Sequence, residues 1–182
     1  MKSFIPESGV EEVCLDYFAD LGWEILRGPD IAPGEARAER SSYREALLED
    51  RLSAAIACFN PRLTSAAIED VIATVRRPDS ADVLAENWRI YKLLTTGVPV
   101  ERRDDSGEIR HDLAWLVDFD HPVRNEFVAV NQYSLEGHQN IRRPDIVLFV
   151  NGLPLGVVEL KVPGKERATL RGAYDQLRTY AA

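Results

Sequence analysis

An α/β fold is predicted by a change in the spacing of apolar residues along the chain. Up to about residue 97, apolar residues recur every three or four positions, which is typical of amphipathic helices, with one short strand-like segment near the start. From residue 98 the pattern becomes short apolar runs bounded by turn residues, which is typical of strands. A last helix-like segment follows these runs. We therefore predict the order helix, strand, helical insert over about 35–97, strands, helix.

Start and stop signals support the predicted helices. Helices are predicted over about 10–21, 42–59, 65–75, 81–94 and 168–182. Gly22 is expected to end the first of them. Ser42 followed by Glu45 is a capping-box pattern, and it places the start of the second.

Turn residues separate the predicted strands. Strands are predicted over 23–26, 98–102, 108–119, 126–133, 144–150 and 155–162. The second and third of them flank Asp104-Asp105-Ser106-Gly107, a good hairpin turn. The last two, joined near Asn151-Gly152, are so apolar that we expect both of their faces to be buried.

Composition narrows the class of protein. A chain of 182 residues with 45% hydrophobic and 29% charged residues fits one soluble domain with a core of its own. No apolar run approaches the roughly 20 residues that span a bilayer, and the N-terminus lacks the pattern of a secretory signal. Cys14 and Cys58 have no metal-ligand spacing, so we interpret both as reduced core residues. These features predict a cytoplasmic protein without a membrane partner.

Charge is distributed unevenly along the chain. The net charge is -8, which argues against a protein that simply coats DNA. Residues 141–182 nevertheless carry seven Lys/Arg and four Asp/Glu. This excess is either a chance fluctuation or a local surface that faces phosphate groups.

Two carboxylates and an ammonium enter the two most apolar strands. Asp145 follows Pro144 at the start of one strand, and Glu159 and Lys161 lie two residues apart in the other, on the same strand face. An ionised group buried there costs several kcal/mol unless it is paired or binds a metal. The residues therefore predict either a buried ion pair at the end of the sheet or a metal site.

A magnesium-dependent phosphodiesterase site fits these residue types. Magnesium prefers oxygen ligands, usually one or two carboxylates with waters and substrate oxygens. Asp145 and Glu159, with the backbone carbonyl of Leu160, are the candidate metal ligands. The ion would polarise a scissile phosphate and lower the pKa of a bound water. Lys161 would orient that water and stabilise the charge that grows in the transition state.

The register of the two strands decides whether this site can exist. A strict two-residue loop at Asn151-Gly152 pairs Asp145 with Val158, so that Glu159 points to the opposite face. A register shifted by one residue places Asp145 and Glu159 on one face. A three-residue loop or a β-bulge, accommodated at Gly152 or Gly156, would supply the shift. We expect the shifted register.

Polar residues before and after these strands are candidate supports for the site. Gln176 and Tyr180 lie four residues apart, so the last helix presents them on one face. They are either an ordinary exposed Gln beside a packed Tyr, or an amide and a hydroxyl that contact DNA or the attacking water. Arg142 and Arg143 directly precede the Asp145 strand and are candidate phosphate contacts.

Taken together, these residues resemble the PD-(D/E)xK nuclease superfamily. More narrowly, the chain resembles the N-terminal nuclease domain of the restriction (R, motor) subunit of type I restriction-modification enzymes. Asp145, Glu159 and Lys161 match the nuclease motif, and Gln176 with Tyr180 matches the QxxxY element found with it. The likeness extends to the Leu-Gly-Trp ending of the first helix, to Gly28-Pro29-Asp30-Ile31, and to Phe127-Val128-Ala129-Val130-Asn131-Gln132.

The resemblance implies more than the residues show by themselves. It implies a restriction-endonuclease-like central mixed sheet flanked by helices, one or two Mg²⁺ ions, and double-stranded DNA as substrate. It also implies a glutamate of the first helix near the metal, for which Glu11 holds the matching position and Glu7 and Glu12 are close alternatives.

The same resemblance implies a larger assembly. Residues 1–182 would be a single nuclease domain within a longer subunit, acting with methyltransferase (M) and specificity (S) subunits. ATP would bind only to helicase-like domains outside this chain, which has no G-x-x-x-x-G-K-[ST] sequence. The helical insert over about 35–97 would then be available to dock neighbouring domains.

Two other functions fit the same pattern. The first is a non-catalytic module that keeps the nuclease fold for contacts with DNA or other subunits. The complete set of Asp145, Glu159 and Lys161 argues against it, because a degenerate relative is expected to lose one member. The second is a stand-alone repair or junction nuclease, which shares the chemistry and differs in context.

Overall fold

The helices and strands follow the predicted order along the chain. The computed structural model describes residues 7–103, 107–137, 140–161 and 170–180. The helices are α1 (Glu7–Asp20), α2 (Glu49–Phe59), α3 (Ser65–Arg76), α4 (Val83–Thr96) and α5 (Leu170–Tyr180). The strands are β1 (Glu24–Arg27), β2 (Val98–Arg103), β3 (Ile109–Ala114), β4 (Phe127–Asn131), β5 (Leu135–Glu136), β6 (Ile141–Arg142), β7 (Ile146–Val150) and β8 (Leu153–Val158). None of the described helices combines the length and apolar composition that a membrane span requires.

The chain forms two compact units. The first comprises Met1–Ala46 and Phe127–Ala182, and the second comprises Leu47–Glu126. The second unit contains the three helices of the predicted insert together with the β2–β3 hairpin. Its boundary therefore lies beyond residue 97, at the strand that returns to the sheet of the first unit.

A four-stranded mixed sheet is the centre of the first unit. The strand order is β1-β4-β7-β8, with β1 parallel to β4 and the other pairs antiparallel. Val128, Val130, Ile146 and Phe149 have no exposed surface, so the middle strands form the core. On α1, the Phe18 ring lies 5.3 Å from the Trp23 ring. The predicted α/β class with a mixed central sheet flanked by helices is confirmed.

A bulge shifts the register of the β7–β8 hairpin. Asn151 and Gly152 have φ angles of 52° and 79°, as a two-residue type I′ turn requires. Near this turn Phe149 pairs with Pro154, but Leu148 pairs with Gly156, so Leu155 is an extra residue in β8. The predicted shift is confirmed, and a bulge rather than a longer loop supplies it.

A buried arginine prevents the helix predicted from Ser42. Arg40, only 6% exposed, donates to the backbone carbonyls of Glu45 and Ser134, at 3.2 and 2.6 Å. The Glu45 side chain accepts from the backbone N–H and the hydroxyl of Ser41 instead of capping a helix. These contacts hold the segment in turns, and helix α2 begins only at Glu49.

An asparagine ties the end of α2 to the segment after β3 in the second unit. The Asn60 side-chain amide donates to the carbonyls of Ile56 and Trp115, at 2.8 and 2.9 Å. Its side-chain oxygen accepts from the Trp115 N–H at 2.8 Å. The strand predicted over 108–119 therefore ends at Ala114, because the Trp115 backbone bonds to this side chain.

Other expectations from the sequence are corrected. Strand β8 ends at Val158, before the predicted end at residue 162. Its outer residues Leu155 and Val157 are 44% and 42% exposed, so β8 is not buried on both faces. Cys58 is exposed and Cys14 only half-buried; both are free thiols, but neither is a core residue. Residues 104–106 of the predicted hairpin turn lie outside the described residues.

Replacing Gly28 with Ala is expected to destabilise the first unit. A Cβ atom at Gly28 would lie 2.5 Å from the backbone oxygen of Gln132, so the chain would have to shift. We expect the free energy of unfolding to fall by about 1–3 kcal/mol in urea titrations. Gly137→Ala is the matched control, because its Cβ would lie 3.4 Å from the nearest atom. Equal stability of the two variants would contradict the close approach at Gly28.

Candidate active site

The shifted register brings Asp145 and Glu159 to the same end of the sheet. Ile146 pairs with Val158 at the end of the β7–β8 ladder. Continuing this register by one residue places Asp145 opposite Glu159, on one face of the sheet. The Leu160 N–H donates to Asp145 Oδ2 at 2.7 Å, which fixes the carboxylate beside the end of β8.

Lys161 connects Glu159 to the last helix. Its Nζ donates to Glu159 Oε1 at 2.8 Å and to Gln176 Oε1 at 2.9 Å. The Glu159 side chain is 3% exposed and that of Lys161 is 26% exposed. A nearly buried carboxylate is thus paired with an ammonium that still reaches solvent. Helix α5 carries Gln176 to this point as predicted, whereas the side chain of Tyr180 lies outside the described residues.

The first helix contributes a third carboxylate through Glu11. Glu11 Oε1 accepts from the side-chain amide of Asn131 at 2.7 Å, and Oε2 accepts from that of Gln132 at 3.0 Å. Glu12 is exposed, and the side chain of Glu7 lies outside the described residues. The structure thus joins Glu11 to the end of β4.

Asn131 and Gln132 are site residues to which the sequence argument gave no role. They close the apolar strand that runs beside the Asp145 strand. Two consecutive amides at the end of a buried strand are a usable signal, because their polar groups need partners. Their partner, Glu11, is 120 residues away in sequence and could not be identified from local spacing.

The pKa of Asp145 reflects its burial and the charged groups around it. Burial raises the pKa of the Asp145 carboxyl above its ordinary value. The carboxylates of Glu159 and Glu11 raise this pKa further, whereas the Leu160 N–H and the Lys161 ammonium lower it. The surroundings of Asp145 therefore favour binding of a proton or another cation.

The donor set fits a magnesium ion that keeps several waters. Asp145 and Glu159 offer carboxylate oxygens on one face of the sheet, and magnesium is commonly bound by one or two carboxylates. Within the described residues, no group of three or more His, Cys, Asp or Glu side chains is close enough to hold one ion. Two carboxylates, a backbone carbonyl and waters are then the ligands available; the Leu160 carbonyl as a ligand stays a prediction.

The two arginines before the Asp145 strand are placed differently from each other. Arg142 is half-buried in β6, which pairs with β5 and not with the main sheet. Arg143 is exposed between β6 and β7. Neither side chain is hydrogen-bonded to the carboxylates in the part of the chain that the structure describes, so both stay predicted phosphate contacts.

The raised pKa of Asp145 predicts a pH dependence of stability. A carboxyl whose pKa is raised on folding stabilises the fold while protonated, and this contribution is lost as pH rises through the folded-state pKa. In chelator, we expect the wild type to lose stability relative to Asp145→Asn as pH rises from roughly 4 to 8. Urea unfolding across this range measures the difference.

Asp20→Asn on the exposed surface of α1 is the matched control for that experiment. Its difference from the wild type should not follow the Asp145 curve. If the wild type instead gains stability over Asp145→Asn with rising pH, the Leu160 N–H and Lys161 outweigh burial and the neighbouring carboxylates.

Comparison with known proteins identifies the family. Residues 5–182 match the family described as "Type I restriction enzyme R protein N terminus". The chain is 38% identical over 177 residues to the type I restriction enzyme HindI endonuclease subunit of Haemophilus influenzae, covering 97% of this chain and 17% of that protein. It is 33% identical over 173 residues to a Methanocaldococcus jannaschii protein described as "Putative type I restriction enzyme MjaIXP endonuclease subunit", covering 93% of this chain and 16% of that protein.

These matches run over nearly the whole chain, and the chain spans about one sixth of the length of the curated relatives it matches. The fold agrees with the likeness to this family noted in the sequence. The chain belongs to the type I restriction enzyme R protein N-terminal family.

Proposed function

We propose that this chain is the magnesium-dependent nuclease part of a type I restriction enzyme and hydrolyses phosphodiester bonds in double-stranded DNA. The observation that carries the proposal is the meeting of Asp145, Glu159 and Lys161 at one end of the sheet. The Leu160 N–H bond to Asp145 and the Lys161 bond to Glu159 hold this set together. The descriptions of the relatives as endonuclease subunits support the same proposal.

Each residue has a distinct task in the proposed reaction. Asp145 and Glu159, with the Leu160 carbonyl, would hold one or two magnesium ions. Bound magnesium polarises a phosphate group and makes water a better nucleophile at neutral pH. Lys161 donates from a position between a carboxylate and an amide, where it can orient the attacking water and offset growing negative charge on the phosphate.

Gln176 positions the lysine rather than the metal. Its side-chain oxygen accepts from Lys161 Nζ at 2.9 Å, so it restricts the directions in which the ammonium can point. Tyr180, one turn later on the same helix, is proposed to support the site from that face.

The longer subunit and its partners are proposals of the same kind. The relatives are about six times the length of the matched segment, so motor domains that use ATP are proposed to lie outside this chain. Methyltransferase (M) and specificity (S) subunits are the proposed partners. The exposed apolar side chains of Leu84, Trp88 and Tyr91 on α4 offer a face for docking within this assembly.

Lys161→Met is expected to separate catalysis from folding. Methionine keeps the apolar stem and removes the charge that faces Glu159 and Gln176. In magnesium buffer, we expect a folded chain that still binds the ion and nicks supercoiled DNA at least about 100-fold more slowly than the wild type. Circular dichroism, calorimetric titration with magnesium and a plasmid-nicking assay provide the three readouts.

Lys92→Met on the exposed face of α4 is the control, since it makes the same chemical change in the other unit. It should nick DNA like the wild type. A Lys161→Met chain that nicks at the wild-type rate would refute the catalytic role. One that unfolds even with magnesium would favour a purely structural ion pair, and a wild-type chain that binds DNA without nicking it would favour the non-catalytic module.

Arg143→Ala is expected to weaken DNA binding about equally for all sequences. An exposed arginine that contacts one phosphate contributes a slope of roughly 0.9 to the dependence of log affinity on log salt concentration. We expect the variant to lose about that much slope in fluorescence-anisotropy titrations at several salt concentrations. Arg62→Ala, at an exposed position of the other unit, is the control. An unchanged salt dependence in Arg143→Ala would remove Arg143 from the DNA surface.

A further inference from the structure

Two neutral amides hold both oxygens of the Glu11 carboxylate. Asn131 Nδ2 lies 2.7 Å from Oε1, and Gln132 Nε2 lies 3.0 Å from Oε2. Both amides turn their NH₂ groups toward Glu11, which is the orientation that suits an ionised carboxylate. We call Asn131 and Gln132 the amide clamp.

The backbone of the amide clamp is fixed from both sides. The Gln132 N–H donates to the Asp145 carbonyl at 3.0 Å, and the Gly28 N–H donates to the Asn131 carbonyl at 2.8 Å. Gln132 has a φ angle of 55°, in the left-handed region that non-glycine residues rarely adopt. Such strain is often found at functional sites. The absence of a side chain at Gly28 permits this turn, because a Cβ there would collide with it.

One buried oxygen atom of the amide clamp lacks a hydrogen-bond partner among the described residues. Asn131 Oδ1 is buried and has no hydrogen-bond donor within the described part of the chain. A buried polar atom without a partner is costly and calls for an explanation. Turning the amide over would point Oδ1 at the Glu11 carboxylate, so the bond to Glu11 accounts for the orientation.

We propose that Asn131 and Gln132 are positioning residues that hold the Glu11 carboxylate beside Asp145, where it strengthens binding of a divalent cation. This inference rests on the proposed function, because it assigns a task at the same metal site. It extends that site to two side chains on β4 and the turn after it. Neither of them needs to touch the ion or the DNA.

The chemistry of the clamp explains why amides serve better here than cations. A lysine or arginine beside Glu11 would fix its position but offset its charge, as Lys161 does for Glu159. Neutral N–H donors fix the position and leave the negative charge available. The described residues contain no cluster of three acids around one ion position, so Glu11 would contribute negative charge near the cation without being one of its ligands. Partners that orient groups around a metal in this way commonly change its affinity by 10- to 100-fold.

A double-mutant cycle on the whole 182-residue chain tests the clamp, with Mn²⁺ as the probe in calorimetric titrations. Asn131→Leu and Gln132→Met remove the amides and keep similar shapes, and each is also made in the Glu11→Gln chain. We expect each single variant to bind Mn²⁺ about 10-fold more weakly than the wild type. In the Glu11→Gln chain, the same substitutions should have no further effect.

Two controls separate this outcome from a general loss of structure. Asn87→Leu makes the same change at an exposed position of α4 and should leave Mn²⁺ affinity unchanged. Thermal unfolding in chelator reports the stability of every variant without metal. If Asn131→Leu does not fold, Gln132→Met decides the question, because Gln132 lies in the turn after β4 and not within the sheet.

Three results would count against the clamp or against the site. Unchanged Mn²⁺ affinity in the folded clamp variants, while Asp145→Asn abolishes binding, overturns the clamp alone. An equal loss of affinity with and without the Glu11 carboxylate shows that the amides act through another group, which also overturns it. Wild-type Mn²⁺ affinity in Asp145→Asn would instead overturn the metal site of the proposed function.

Discussion

Carboxylates that approach one another in a partly buried place lose hydration and repel, and the first unit is built around this constraint. Asp145 directly precedes β7 and Glu159 directly follows β8, whereas Glu11 lies far from both in sequence, on α1. Burial and the two neighbouring carboxylates raise the pKa of Asp145. This arrangement therefore favours the binding of a positive charge near Asp145. In the proposed function, a divalent cation would neutralise the negative charge of these carboxylates and supply the chemistry that phosphodiester hydrolysis needs.

The three carboxylates accept hydrogen bonds from different kinds of donor. Glu159 is nearly buried and is paired with the Lys161 ammonium, which is held in turn by Gln176. Asp145 accepts from a backbone N–H, and Glu11 accepts from two amides. Backbone and amide donors orient a carboxylate without cancelling its charge. Negative charge therefore remains at the end of the sheet where these carboxylates lie.

The geometry of the site depends on one extra residue in β8. A two-residue type I′ turn sets the pairing next to Asn151-Gly152, and the bulge at Leu155 then shifts it by one position. A shift of one residue exchanges the faces of all side chains that follow. Because of the bulge, Glu159 and Asp145 share a face of the sheet. The bulge itself lies several residues away from both of them.

The sequence by itself determined the α/β class, the order of the elements and the residue types of the site. Periodicity and turn residues carry that information locally, and the apolar strands made charged residues such as Asp145 conspicuous. Only the tertiary structure decided that the segment from Ser42 is not a helix, because Arg40 binds the Glu45 carbonyl of that segment and the distant Ser134 carbonyl. Likewise only the tertiary structure gave Glu11 its two amide partners, since contacts across 120 residues depend on how strands and helices pack and leave no local pattern.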